Sequence, residues 1–419
     1  MNILVLGGGG REHAICWSLN KSEKICKIFC IPGNAGIQKI AICTKIEITK
    51  KNISKFCIKN NISLVVIGPE KYLEEGYSDY LKNEGINVFG PSKKASKLES
   101  SKTFSKKFLS KYKIKTAKFK TFTNPELALK YTSIQSLPIV IKADGLAAGK
   151  GVFICKKRNE VRKCINEIMI KKKFGNSGKK VVIEEFLNGF EVSFFAFIDK
   201  FSYKIFNYAL DHKRALDGDN GLNTGGMGAF TPSNKITKSM KNLIEKEIIK
   251  KTFNALKKEK IVFRGILFFG LMITKDGPYV IEYNVRFGDP ECQVILRSLN
   301  TPLNEILLAV TGDKLKNIRI ALNNKTNICV IISSKGYPEE YKTGKEIKNI
   351  NKLARYHGIE IFHSGTELLD GKVYSSGGRV LSITSQENDI DSARKKAYKI
   401  IKKLNWKYGF YRKDIGLKK

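Results

Sequence analysis

The chain has 419 residues, 42% of them hydrophobic and 27% charged, proportions of a globular protein of roughly two to four domains, which excludes small stapled folds, wholesale disorder and a membrane bundle. Its net charge of +37 would ordinarily point to nucleic acid. Only twelve of the 76 basic residues are arginine, however, and the lysines scatter over predicted helix faces, so nucleic acid is disfavoured as a partner and the charge reads as compositional drift that leaves a field favouring anionic substrates. The nine cysteines form no CxxC or Cys/His set and read as reduced thiols of a cytoplasmic protein. The longest apolar run, 265–274, is about half of a bilayer span, and no basic leader precedes residues 2–6, so neither membrane insertion nor export is expected.

Short β-branched runs at 3–6, 28–31, 64–67 and 87–89 alternate with helical stretches, the pattern of a parallel α/β sheet. Gly7 to His13 (GGGGREH) follows the first run, where helix N-terminal amides can receive an anion at the carboxyl ends of the strands. A basic helical stretch, 93–112, leads into a second unit. From 116 to 199 the order is strand, helix, strand (138–143), glycine loop, strand, helix and two strands around 181–198. Residues 211–232 read as a loop of some twenty residues, long enough to suggest function. A helix at 235–257 and strands at 266–273 and 279–282 follow. The last hundred residues read as a smaller α+β unit with strands at 327–333 and 378–384. The expected divisions are 1–102, 103–312 (with a small subdomain at about 116–190) and 320–419.

Several stretches carry chemistry. Lys142-Ala-Asp-Gly-Leu-Ala-Ala-Gly-Lys150-Gly151 ends a predicted strand, and its free amides and two lysines suit a polyphosphate; a mobile hairpin is the plain alternative. It is not a Walker loop, because Gly151 stands where Ser or Thr is needed. Gly7 and Gly9 have the opening spacing of a dinucleotide fingerprint, but Glu12 occupies the third glycine position and the second strand ends without an acidic residue, which disfavours hydride chemistry. Glu184 and Glu185, with Leu187 and Glu191 beyond, lie where a strand runs into an extended segment that can offer main-chain groups to an adenine edge; two surface glutamates are the plain alternative.

The richest stretch is 279–291. In a strand, Glu282 and Asn284 share a face, with Arg286 next along it. Two hard oxygens beside a guanidinium describe a magnesium and phosphoryl-transfer site, or else a structural charge ladder. Asp211-His212-Lys213-Arg214 and Asn223-Thr224-Gly225-Gly226-Met227-Gly228 look built to close over polar ligands. His212 has no nucleophile partner at a recognisable spacing, so triad catalysis is disfavoured.

Together these stretches resemble the glycinamide ribonucleotide synthetases, the phosphoribosylamine-glycine ligases of the ATP-grasp superfamily. The resemblance runs through GGGGREHA (7–14), PGNAG (32–36), IGPE (67–70), FGPS (89–92), IKADGLAAGKGV (141–152), EEFL (184–187), DHKR (211–214), NTGGMGAF (223–230), RFGDPE (286–291), SGGRV (376–380) and YRKDIG (411–416). It implies an α/β and α+β multidomain fold: an N-terminal parallel-sheet (pre-ATP-grasp) domain, an ATP-grasp domain and a small C-terminal α+β domain, in a single-function monomer. It also implies ligation of glycine to 5-phosphoribosylamine with cleavage of ATP to ADP and phosphate, through glycyl phosphate, in purine biosynthesis, with Mg²⁺ or Mn²⁺ as cofactor.

By motif, the resemblance places Lys102, Lys142, Gly145, Gly149, Lys150 and Gly151 on the ATP phosphates, Glu184, Glu185 and Leu187 at adenine, and Glu191 at ribose. Glu282 and Asn284 are the implied metal ligands. Arg286 and Lys142 are implied at the transferring phosphoryl, and Asp289 at the substrate amino group. Gly9, Gly10, Arg11, Glu70 and Arg379 are the implied phosphoribosylamine contacts, and Asp211, Lys213, Asn223, Thr224 and Gly225 the further substrate contacts. The sequence departs from the family pattern at Leu210 (usually Gln), Leu222 (usually Pro) and Tyr72 (usually Pro), and residues 266–273 lack the extra metal carboxylate of many ATP-grasp enzymes. One protein-anchored Mg²⁺, or a second held mainly by phosphates and water, is therefore expected. Another ATP-grasp purine ligase, using bicarbonate or formate, and a basic nucleic-acid-binding protein are the alternatives.

Overall fold

The computed structural model describes residues 1–147 and 150–417. Five strands, β1 (Asn2–Gly7), β2 (Lys27–Pro32), β3 (Ile42–Cys43), β4 (Ile62–Ile67) and β5 (Val88–Phe89), form an all-parallel sheet in the order β3-β2-β1-β4-β5. Ile3 to Leu6 are wholly buried, as expected of a parallel strand covered on both faces. The strand order reverses between β1 and β4, so the crevice beyond their carboxyl ends is the natural place for a ligand. Helix α1 (Gly10–Leu19) starts there. The two-residue β3 is an edge strand too short to leave a sequence pattern.

The basic stretch 93–112 is two helices, Lys93–Ser100 and Lys102–Lys111. Ser101 leaves helical geometry between them and its Oγ accepts the Phe104 N–H at 3.1 Å, the usual N-cap. Beyond it, β6 (Phe119–Phe122), β7 (Ile139–Ala143), β8 (Val152–Cys155) and β9 (Val181–Glu185) make an antiparallel sheet in the order β6-β9-β7-β8. Its core of Ile141, Ile165 and Val181 is its own, so this layer is packed as a separate lobe over the rest.

The long central strands β10 (Phe190–Ile198) and β11 (Tyr203–Asp211) follow. Residues 211–232 are not the open loop that their polarity suggests. Arg214–Leu216 (β12) and Asn220–Asn223 (β13) pair as a hairpin around Asp217-Gly218-Asp219, and Gly228–Thr231 (β14) joins the main sheet. Helical backbone then runs from Lys238 to Lys258, starting after Thr237, whose Oγ1 accepts the Met240 N–H at 3.2 Å. β15 (Gly265–Thr274) and β16 (Gly277–Asn284) pair antiparallel, with Gly270 opposite Glu282; a Cβ on Gly270 would stand 2.8 Å from the Glu282 Cγ.

The C-terminal residues supply β17 (Thr326–Ser334), β18 (Ile359–His363), the hairpin β19 (Thr366–Leu369) and β20 (Lys372–Ser375), β21 (Arg379–Glu387) and the short β22 (Gly409–Phe410). Their strands extend the central sheet. β14 pairs with β17, giving the continuous order β16-β15-β10-β11-β14-β17-β21-β18, with β22 on β17. No helix among the described residues is long and apolar enough to cross a membrane.

Candidate active site

A cleft of about 1400 Å³ lies between the parallel sheet, the antiparallel lobe, the face of the central sheet and the C-terminal strands. Most of the residues singled out in the sequence line it. Gly149 lies outside the described residues. Gly9 and Gly10 do not line it: the Gly9 N–H donates to Glu12 Oε2 at 2.6 Å, and a Cβ on Gly10 would stand 2.6 Å from Gln293 Nε2 and 2.7 Å from Ser364 Oγ. The start of α1 therefore satisfies one of its free amides with its own Glu12, and Gly10 packs against the C-terminal unit.

At one end, Glu184 is buried between two ammonium groups, Lys142 Nζ at 3.0 Å and Lys106 Nζ at 2.9 Å. Burial alone would raise its pKa, but the two lysines hold it below the usual carboxylate range. Burial outweighs Glu184 at Lys106, whose pKa falls to about 8. Lys142 also donates to the Ile281 carbonyl at 3.1 Å, and Lys102 to that of Gly145 at 2.8 Å. The expectation that Glu184 offers main-chain groups to adenine needs correction. β9 is an inner strand with partners on both sides at this residue, Phe119 and Val140, so its peptide groups face the ladder and its contribution is the side chain. Glu185 ends the strand and Leu187 stands beyond it, both in the cleft lining.

In the middle, Lys213 Nζ lies 2.9 Å from Glu191 Oε2 and 3.2 Å from Glu282 Oε1. Burial opposes the charge on Glu282, yet Lys213, Lys142 and Lys102 bring its pKa down to about 2. Asn284 is two residues along the same strand, with its Oδ1 3.5 Å from Arg286 Nη2. An ionised carboxylate and an amide carbonyl on one strand face, beside a cation already drawn to that carboxylate, fit a hard divalent ion that keeps water and phosphate oxygens in its shell. Among the described residues no group of three or more His, Cys, Asp and Glu could hold a metal, so a closed all-protein cage is not what these residues offer.

Arg286 is clamped from two sides, by Glu70 at 3.2 Å and Glu99 at 2.8 Å. Burial pushes Glu99 up to about 7 against the pull of Arg286, while Glu70, facing both Arg286 and Arg11, falls to about 2 despite its own burial. Arg11 binds Glu12 at 2.6 Å and approaches Glu70 at 3.9 Å. Arg379 reaches in from β21, donating to the carbonyls of Gly225 (2.6 Å) and Asp289 (2.8 Å) and pairing with Asp289 Oδ2 at 3.2 Å. Gln293 donates to the other Asp289 oxygen at 2.8 Å. Thr224 Oγ1 donates to the Lys213 carbonyl at 2.9 Å and the Gly225 N–H donates to the Tyr337 hydroxyl at 3.1 Å, which fixes the 223–228 segment. Asn223 reaches toward the Val152 carbonyl at 3.5 Å.

Glu99, Lys106, Glu291 and Tyr337 also line the cleft. Sequence reasoning passed over Glu99, Lys106 and Tyr337, and gave Glu291 no role although it closes the RFGDPE stretch, because the partner of each is remote in the chain. Of the departures, Leu210 lines the cleft, Leu222 is half-exposed on β13, and Tyr72 packs on Tyr77 with ring centroids 5.1 Å apart.

Three profiles of the phosphoribosylglycinamide synthetases match the chain in series: the N domain over residues 1–99, the ATP-grasp (A) domain over 100–292 and the C domain over 327–418. The phosphoribosylamine-glycine ligase of Caldanaerobacter subterraneus subsp. tengcongensis is 45% identical over 417 residues, covering 99% of each chain. That of Clostridium acetobutylicum is 43% identical over 420 residues, covering 100% of each. The crystal structure of the Thermotoga maritima phosphoribosylamine-glycine ligase superposes with a TM-score of 0.85 at 34% identity, covering 99% of this chain and 100% of that one. The cleft thus belongs to a chain whose full length, domain order and fold follow one pattern, and the chain is a member of the phosphoribosylglycinamide synthetase family, the ATP-grasp phosphoribosylamine-glycine ligases.

Proposed function

We propose that this chain joins glycine to 5-phosphoribosylamine, converting ATP to ADP and phosphate and forming glycinamide ribonucleotide for purine biosynthesis. The observation that carries the reading is the convergence of Glu282, Asn284 and Arg286 with Lys102, Lys142 and Lys213 in one cleft that Arg11, Glu70 and Arg379 also line. A carboxylate is a poor electrophile. The reading therefore has one glycine carboxylate oxygen attack the γ-phosphorus as ADP leaves, giving glycyl phosphate. The neutral amine of phosphoribosylamine then attacks the carbonyl carbon, inorganic phosphate departs with the C–O bond pair, and the nitrogen gives up its proton.

Each step asks for positioning and charge neutralisation, not for a protein nucleophile. Lys102 and Lys142 face the polyphosphate, with the loop from Gly145 through Lys150 and Gly151 covering it. Glu185 and Leu187 offer main-chain groups to adenine, and Glu191 meets ribose once Lys213 lets it go. Glu282 and Asn284 would hold Mg²⁺ or Mn²⁺, which when bound neutralises phosphate oxygens. Arg286, fixed by Glu99 and Glu70, balances charge on the transferring phosphoryl. Arg11, Glu70 and Arg379 form the phosphoribosylamine side. The reading includes a monomer in a cytoplasmic setting, and nine free thiols suit that setting.

The test is a coupled assay of ADP release on the purified protein. Turnover that needs glycine and phosphoribosylamine together is expected. Equal turnover with bicarbonate or formate in place of glycine, or with either substrate alone, would overturn the reading.

A further inference from the structure

Asp144 follows β7 directly, is half-buried, and stands outside the cleft lining. Its Oδ1 accepts the Thr103 N–H at 2.9 Å and the Ser101 hydroxyl at 3.2 Å, from 41 and 43 residues away in the chain. Thr103 lies in the first turn of the helix Lys102–Lys111, where the N–H groups have no partner within the helix and negative charge is favoured. Ser101 Oγ takes the Phe104 amide of the same turn, so the two side chains divide the work of capping. The helix packs Phe108 and Leu109 into the main core. The Asp144 N–H, by contrast, donates to the Lys180 carbonyl at 3.0 Å, just ahead of β9. Asp144 is therefore fastened to the antiparallel lobe by its main chain and to the main body by its side chain.

The contact is reciprocal. Lys102, one residue before Thr103, donates to the carbonyl of Gly145, one residue after Asp144, at 2.8 Å. Gly145 has φ +147, and a Cβ there would stand 2.5 Å from Ser177 Oγ, which itself donates to the Leu146 carbonyl at 3.0 Å. Residues 102–103 and 144–145 thus tie the lobe to the body where the glycine-rich stretch enters the cleft, which Gly145, Leu146 and Ala147 line. Burial lowers the Lys102 pKa, and Glu282 and Asp144 oppose the fall.

We propose that Asp144 is a positioning residue of the ligase: through Thr103 and Ser101 it holds Lys102 on the polyphosphate and keeps the glycine-rich cover closed against water. This rests on the ligase reading above and adds to it a residue that touches no substrate. Glycyl phosphate is a mixed anhydride. Water attacking its carbonyl carbon returns glycine and inorganic phosphate, so ATP is consumed and no amide forms. Excluding water from such an intermediate is a task of a closed site. A cover whose entry has lost its anchor gives up both phosphate alignment and that exclusion, whereas Arg11 and Arg379 keep their own partners.

The experiment compares wild type with Asp144→Ala and Asp144→Ser, whose side chains cannot reach the helix, and with Asp144→Asn, whose amide oxygen can still accept both bonds. It measures KM for ATP and for phosphoribosylamine, and ADP released per glycinamide ribonucleotide formed, quantities that do not depend on the folded fraction. The Ala and Ser variants are expected to raise KM for ATP about tenfold and to release about two or more ADP per product where wild type releases about one. KM for phosphoribosylamine should stay within about threefold of wild type in all three, and Asn should restore KM for ATP to that range. Wild-type KM for ATP and wild-type coupling in the Ala and Ser variants overturn the proposal. So does an Asn variant as impaired as Ala, or an equal loss toward phosphoribosylamine, which marks general damage. Those results leave the ligase reading intact, whereas wild type that releases no ADP with glycine and phosphoribosylamine together removes that reading and this proposal with it.

Discussion

Glu99 Oε1 lies 2.8 Å from Arg286 Nη2, and its other oxygen accepts the Val285 N–H at 2.8 Å, so one buried carboxylate fixes both the guanidinium and the main chain that carries it. Arg286 is thereby aimed into the cleft before any substrate arrives, the kind of preorganisation that makes a charge effective in a transition state.

Replacing Glu99 with Gln keeps the shape and removes the charge. The expected result is a fall in kcat of about 10- to 10²-fold, from a guanidinium held less firmly, with little change in KM for ATP. Glu99 loses its proton near pH 7, and its ionised form holds Arg286 more tightly. Wild-type kcat should therefore climb through that pH, and the Gln variant should lack the rise. Matching pH profiles would remove the positioning role.

Glu184 separates two buried ammonium groups. Glu184→Gln leaves Lys106 and Lys142 without their shared counter-charge, which costs about 3–5 kcal/mol when a buried pair is broken. A lower Tm in thermal unfolding and a raised KM for ATP are expected together, because Lys142 also faces the polyphosphate. An unchanged Tm would show that the lysines find other partners.

Acid should loosen the seam between α1 and β18. The His363 N–H donates to His13 Nδ1 at 2.8 Å, and both rings are buried. Burial, with Lys39 adding to it, brings His13 down to about 3; burial, His13 and Lys39 also depress His363. Both rings stay neutral in the fold while the unfolded chain protonates near 6.5. Stability is then fully present above pH 6.5 and falls by about 1.4 kcal/mol per pH unit per ring as the pH drops below it. Tm measured from pH 7 to 4 should fall less steeply in His13→Asn than in wild type, and parallel curves would refute the account.

Arg412 ties the C-terminal segment to the hairpin beside the cleft. It is 1% exposed, binds both oxygens of Asp414 at 2.7 and 2.6 Å, and reaches Asp219 at 2.9 Å and the Arg214 carbonyl at 3.1 Å. Arg412→Ala should destabilise by about 3–5 kcal/mol. Arg412→Lys should recover little of this, because a point charge cannot reproduce the fork. Full recovery of Tm by Lys would contradict the geometry.

The parts of the site legible in the sequence are those whose geometry is local. Glu282 and Asn284 could be placed together because strand alternation decides which side chains share a face; Arg286 lies two residues past the end of β16 and is set by Glu70 and Glu99 instead. The strands on either side of the glycine-rich stretch, β7 and β8, could be placed because a strand end and small residues are written in consecutive letters. The parallel sheet was legible for the same reason, except for the two-residue β3. What could not be read depends on strand neighbours. Whether Glu184 has main-chain groups to spare is decided by β9 lying between β6 and β7, and residues 214–231 form strands because of partners that the local polarity does not reveal.

By itself, the order of residues determined the chemistry on offer: hard oxygens, a guanidinium, lysines and a flexible glycine cover, arranged along a familiar series of strands and helices. Only the tertiary structure decided which charges meet. It set Glu99 on Arg286, joined β14 to β17 so that Arg379 reaches Asp289, and buried Glu184 between Lys106 and Lys142. Local spacing determines the face of a strand or helix on which a side chain lies, whereas the energy of a buried charge depends on whatever the fold brings within a few ångströms of it.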